Sequence, residues 1–134
     1  MFSRLLLGAA ALTVVAIPVL AAPAFAEDMP AGITTSTIAG KTVLVDAKGM
    51  TLYTYDKDAG GKVTCVDKCA AAWPPAFAPA DAKATGDFTL VETADGKQVW
   101  AYYGKPLYGW AKDTKPGDAT GDGVGGVWHE AVAQ

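Results

Sequence analysis

The chain has 134 residues, 51% of them apolar, and a formal net charge of −3. Residues 27–134 hold ten lysines, fourteen acids and no arginine. This excludes a basic nucleic-acid binder, which would fork phosphates and guanine edges with guanidinium groups. The length suits one small domain with a modest core and excludes a multidomain enzyme.

In chain order, residues 1–26 have the pattern of an export signal. Arg4 gives one positive charge, Leu5 to Leu20 carry none, and Ala24-Phe25-Ala26 has the small-x-small form cut by signal peptidase. Pro18 and Pro23 would be expected to end a helix near the cut. Cleavage would leave no membrane span, and the expected location is secreted or periplasmic. Residues 27–40 are expected to be a flexible leader, with residues 41–134 forming the domain.

Thr42-Val43-Leu44-Val45 is β-branched and apolar, Asp46 to Gly49 is a turn, and Thr51 to Tyr55 alternates. Together these predict a β-hairpin, with Tyr53 and Tyr55 on one face and Leu52 on the other. Asp67 to Trp73 is the one short helix expected: Asp67 can cap, Ala70-Ala71-Ala72 favours helix, and Pro74-Pro75 stops it. Residues 76–87 form a surface linker. Phe88 to Thr93 is a strand, Asp95-Gly96 a tight turn, and Gln98 to Tyr103 and Leu107 to Trp110 are further strands. The fold class is all-β, one small domain.

Set against itself at an offset of 55, the chain aligns Gly49 with Gly104, Leu52-Tyr53 with Leu107-Tyr108 and Tyr55 with Trp110. Lys57-Asp58 aligns with Lys112-Asp113, and Trp73 with Trp128. Two copies of this kind predict a pseudo-symmetric pair of hairpin-based repeats, about 41–75 and 96–130, joined by a linker and strand over 76–95. The same offset sets Cys65 and Cys69 against Thr120 and Val124. In an exported chain two close cysteines are most simply one disulfide, pinning a local turn of the first copy. The alternatives are a redox pair and a metal site, although His129 is the only histidine.

The repeated side chains admit two roles. Tyr53, Tyr55, Trp73, Tyr108, Trp110 and Trp128 can fill two related halves of one core, or form an exposed stacking platform. Asp58 and Asp113, leaving their strands, can accept backbone N–H groups and fix turns, or serve as acids or cation ligands. Asp118 to Gly123 resembles the start of a calcium loop, but His129 stands where the loop wants a bidentate Glu, so turn formation is the better account. His129 with Met29 or Met50 offers a haem or metal ligand set.

Gly49 to Asp58, the Cys65–Cys69 segment and Trp73-Pro74-Pro75, with a second copy from Gly104 to Asp113 and on to Trp128, resemble a bacterial family. It is known as the secreted repeat of unknown function, or predicted lipoproteins with a Y-x-(F/W/Y)-x-x-D motif. The resemblance covers about residues 41–130 and implies an exported envelope protein, without implying an activity. Many relatives carry a lipobox cysteine; this chain has none near the expected cut, so a soluble form is expected. The expected function is a non-enzymatic binding or interaction module without a cofactor. Its partner is an envelope component or small ligand. The alternative is a redox-associated accessory protein binding haem or metal.

Overall fold

The computed structural model describes residues 29–134 and a few earlier positions (8, 10, 11 and 13–16); most of the expected export signal lies outside the described residues. Seven strands and one helix follow in order: β1 Ile33–Ile38, β2 Lys41–Asp46, β3 Tyr53–Tyr55, α1 Lys68–Ala72, β4 Phe88–Glu92, β5 Gln98–Tyr102, β6 Lys105–Pro106 and β7 Trp128–Glu130. The domain is all-β. Among the described residues no helix is long and apolar enough to cross a membrane.

β1 and β2 form an antiparallel hairpin, Ile33 opposite Asp46 and Ile38 opposite Lys41. β4 and β5 form its counterpart, Phe88 opposite Tyr102 and Glu92 opposite Gln98. β1 occupies part of the stretch expected to be a flexible leader. Its Ile-Thr-Thr-Ser-Thr-Ile sequence is β-branched almost throughout, and pairing with β2 satisfies its backbone.

The expected hairpin of 42–45 with 51–55 forms only at its base, where Val45 bridges Thr51 and the Leu52 N–H donates to the Leu44 carbonyl. β3 then leaves β2 and pairs with β7, at the far end of the chain, with Tyr53 opposite Glu130 and Tyr55 opposite Trp128. The second copy repeats the move. Tyr108 bridges Pro75, and Gly109 and Ala111 donate to the carbonyls of Pro74 and Ala72.

Each copy therefore sends its last segment onto the other. The Leu44 N–H donates to Ala131, and Ala133 donates to Thr42. In the same pattern the Trp100 N–H donates to Ala76, and Ala78 donates to Gln98. Residues 76–78 are thus an arm on β5 instead of the start of a surface linker. At the centre Tyr53 and Tyr108 exchange both backbone hydrogen bonds, at 2.7 and 2.9 Å, marking a pseudo-twofold axis.

Alternation sorts the core into two clusters. Leu52 and Leu107 join Ile33, Leu44, Phe88 and Trp100 in one; Tyr53, Tyr108, Trp73, Trp128 and Cys65 form the other. Where the first copy has Ala-rich α1, the second has a tight 3-10 turn, Val124–Gly126, whose neighbouring glycines have positive φ. Asp67 stands at the N-terminal boundary of α1, but at φ 55° its side chain makes no capping bond, so the helix forms on its alanines and its tether to Cys65.

Candidate functional site

The two motif tyrosines meet at the pseudo-twofold axis, and each hydroxyl crosses to the opposite copy. Tyr53 Oη donates to Asp113 Oδ2 at 2.6 Å, and Tyr108 Oη donates to Asp58 Oδ2 at 2.5 Å. Both phenols are fully buried and both carboxyls nearly so. The second oxygen of each carboxyl closes a turn. Asp58 Oδ1 accepts the Thr64 N–H and hydroxyl, and Asp113 Oδ1 accepts the same pair from Thr120. Burial first, then the hydrogen bond to the carboxyl, pushes both tyrosine hydroxyls far above their ordinary pKa of 10.0.

Asp58 to Thr64 spans one residue fewer than Asp113 to Thr120. The structural counterpart of Cys65 is consequently Gly121 and not Thr120. The Gly121 N–H donates to Tyr53 Oη, as that of Cys65 does to Tyr108 Oη. A Cβ on Gly121 would lie 2.8 Å from the Trp73 ring, so only glycine fits there. Cys65 has room for its side chain and is bonded to Cys69; among the described residues no cysteine is free.

Behind the phenols the remaining motif rings form one stack, in the order Tyr55, Trp128, Trp73, Trp110. Centroid separations are 4.1, 3.7 and 3.8 Å, and the two central indoles lie within 3° of parallel. The stack is also crossed: Tyr55 of the first copy covers Trp128 of the second, and Trp110 covers Trp73. Tyr53 sets its edge toward Trp73 at 5.4 Å, and Tyr108 toward Trp128 at 5.2 Å. The central indoles are buried and the terminal rings half-buried. Lys112 Nζ stands 5.6 Å from the Trp110 ring centre.

Outside this core, polar side chains collect along β3 and β7. Two adjoining hollows of about 390 and 730 Å³ share Thr54, Asp56 and Lys105. The smaller is also lined by His129, Glu130 and Tyr103, and the larger by Tyr55 and Gly104. Pairing of β3 with β7 puts Thr54 opposite His129, and His129 Nε2 lies 2.8 Å from Asp56 Oδ2 with both side chains about half exposed. Glu130 pairs with Lys41 at 3.3 Å. Tyr103 holds a left-handed backbone at φ 48° and donates its hydroxyl to Asp87. Sequence reasoning singled out His129 here but missed Asp56 and Lys105, because the neighbourhood is assembled from β3, β6 and β7, with Asp56 and His129 73 residues apart.

Among the described residues no three His, Cys, Asp or Glu side chains converge as a metal site. In the segment resembling a calcium loop, Asp118 Oδ2 accepts the Thr114 and Lys115 N–H groups, which hold its pKa below the usual value, and Asp122 Oδ1 accepts the Glu130 N–H. Met29 packs on the first core cluster and does not line the hollow at His129.

The family described as a secreted repeat of unknown function matches residues 34–77 and 89–132. No curated protein and no solved structure matches the chain.

Proposed function

Since the chain belongs to the secreted repeats of unknown function, the two matches together covering more than half of it, we propose that it is a non-enzymatic binding module of the cell envelope. It would be exported by residues 1–26 and use the paired hollows beside β3 and β7 to hold a polar envelope component or small ligand. One observation carries this reading. The repeated motif groups satisfy one another inside the fold, whereas the exposed side chains of Asp56, Lys105 and His129 line one open depression, with Glu130 paired to Lys41 at its edge. A lysine and a histidine beside two acids suit a ligand carrying both charges or several hydroxyls. No activated nucleophile accompanies them: His129 meets a carboxyl, not a hydroxyl or thiol, so binding without turnover fits the chemistry better than acyl transfer.

The test is titration of the isotope-labelled domain with fractionated envelope material, followed by backbone amide shifts. Perturbations confined to residues 54–56, 102–105 and 129–134, abolished by Lys105→Ala with unchanged melting temperature, are expected. Saturable binding mapping elsewhere, or none with any fraction, would overturn the proposal.

A further inference from the structure

The ring stack has a property that core filling does not require. Neutral aromatic rings avoid lying face to face because their quadrupoles repel, and they prefer offset or edge-on contacts with centroids about 4.5–7 Å apart. Trp73 and Trp128 lie at 3.7 Å and 3°. Removing one electron changes the balance, because two closely overlapping indoles share the positive charge and each stabilises it on the other. A phenol stands edge-on to each indole, and each phenol already donates to a carboxyl oxygen, at 2.6 Å for Tyr53 and 2.5 Å for Tyr108. A phenol gives up an electron readily only when its proton has somewhere to go, and here the acceptor is in place. The end nearest Lys112 is the poorest place for a positive charge, which biases it toward the central pair. The other end, Tyr55, lines the larger hollow and is reached from solvent.

We propose that Tyr55, Trp128, Trp73 and Trp110, with the Tyr53–Asp113 and Tyr108–Asp58 pairs, form a one-electron oxidation site that takes a hole from a diffusible one-electron oxidant, a metal complex or a radical. The oxidant gains one electron and the stack becomes a radical cation shared by Trp73 and Trp128. An electron from Tyr53 then refills the indoles while its hydroxyl proton moves to Asp113 Oδ2. The products are a neutral phenoxyl, a neutral carboxylic acid and the reduced oxidant. A one-electron donor such as a hydroquinone, which becomes a semiquinone and releases its own proton to water, reduces the phenoxyl, and the proton returns from Asp113 to the phenolate oxygen. Tyr108 and Asp58 do the same on the other side of the axis. The site depends on the rings and their two carboxyl partners, independently of any ligand in the hollows.

The experiment is flash photolysis of the intact wild-type protein with a ruthenium tris-bipyridine sensitiser and persulfate as terminal electron acceptor. It is read by transient absorption and by electron paramagnetic resonance. Two signals are expected in sequence: a low-energy charge-resonance band of an indole pair, then a phenoxyl radical. Formation of the phenoxyl slows in deuterium oxide, and its signal is lost in the Asp58→Asn/Asp113→Asn double variant, whose fold is checked by near-ultraviolet circular dichroism. If that variant does not fold, the deuterium effect on the wild type decides. Absence of either signal, a single-indole cation only, or spin on Trp100, Tyr102 or Tyr103 would overturn the proposal.

Discussion

Tyr53 and Asp113 are sixty residues apart in sequence and share one buried hydrogen bond; so, in mirror fashion, do Tyr108 and Asp58. Each carboxyl also holds a threonine N–H and hydroxyl, so its removal strands three donors. Leaving buried donors unpaired costs about 1–3 kcal/mol each, less where water can enter. Asp58→Ala and Asp113→Ala should each cost about 3 kcal/mol, lowering the melting temperature by roughly 10–20 °C in a domain of this size. A double-mutant cycle distinguishes the crossed arrangement from a local one: coupling of Tyr53→Phe to Asp113→Ala should be about 1.5–3 kcal/mol and exceed its coupling to Asp58→Ala. The phenols also set an alkaline limit. Their folded pKa lies above the unfolded value, so their contribution is intact below about pH 10 and is lost as the unfolded chain ionises above it. In an absorbance titration, two of the five tyrosines should ionise only as the protein unfolds, and Tyr53→Phe/Tyr108→Phe should remove that step.

The elements show where local sequence ceases to be informative. Alternation placed Leu52 on one side of its strand and Tyr53 and Tyr55 on the other, and the two core clusters divide that way. Asp95-Gly96 joined β4 to β5 as turn chemistry requires, with Gly96 at φ 84°. Partners were not legible, because nothing in Thr51 to Tyr55 says that its strand continues to Trp128 and not back to Val43. The arm at 76–78 was obscured by its composition: alanine and proline resemble a linker, yet Ala76 and Ala78 hold three backbone bonds along β5 and with Leu107. The repeat itself was legible from its aromatic positions, whereas the one-residue slip that matches Cys65 with Gly121 was not, since it is compensated before Trp128. Crossed pairing makes each half incomplete. Residues 29–83 and 84–134, produced separately, should each lack dispersed amide signals and near-ultraviolet dichroism, and both should appear on mixing. A half that folds alone as a monomer would contradict the exchange of strands.

At the scale of the molecule the pseudo-twofold relates what the chain joins to what it leaves open. Residues 79–87 carry the first arm into β4, and the corresponding step in the other half would run from Gln134 to the start of β1. Met29 and Gln134 line the same small hollow, so that step is short. The order of the halves along the polypeptide is then incidental to the fold. A circular permutant opened between Asp81 and Ala82, with a brief glycine-serine joint from Gln134 to Met29, should reach the same native state with the same spectrum and a melting temperature within a few degrees of the parent.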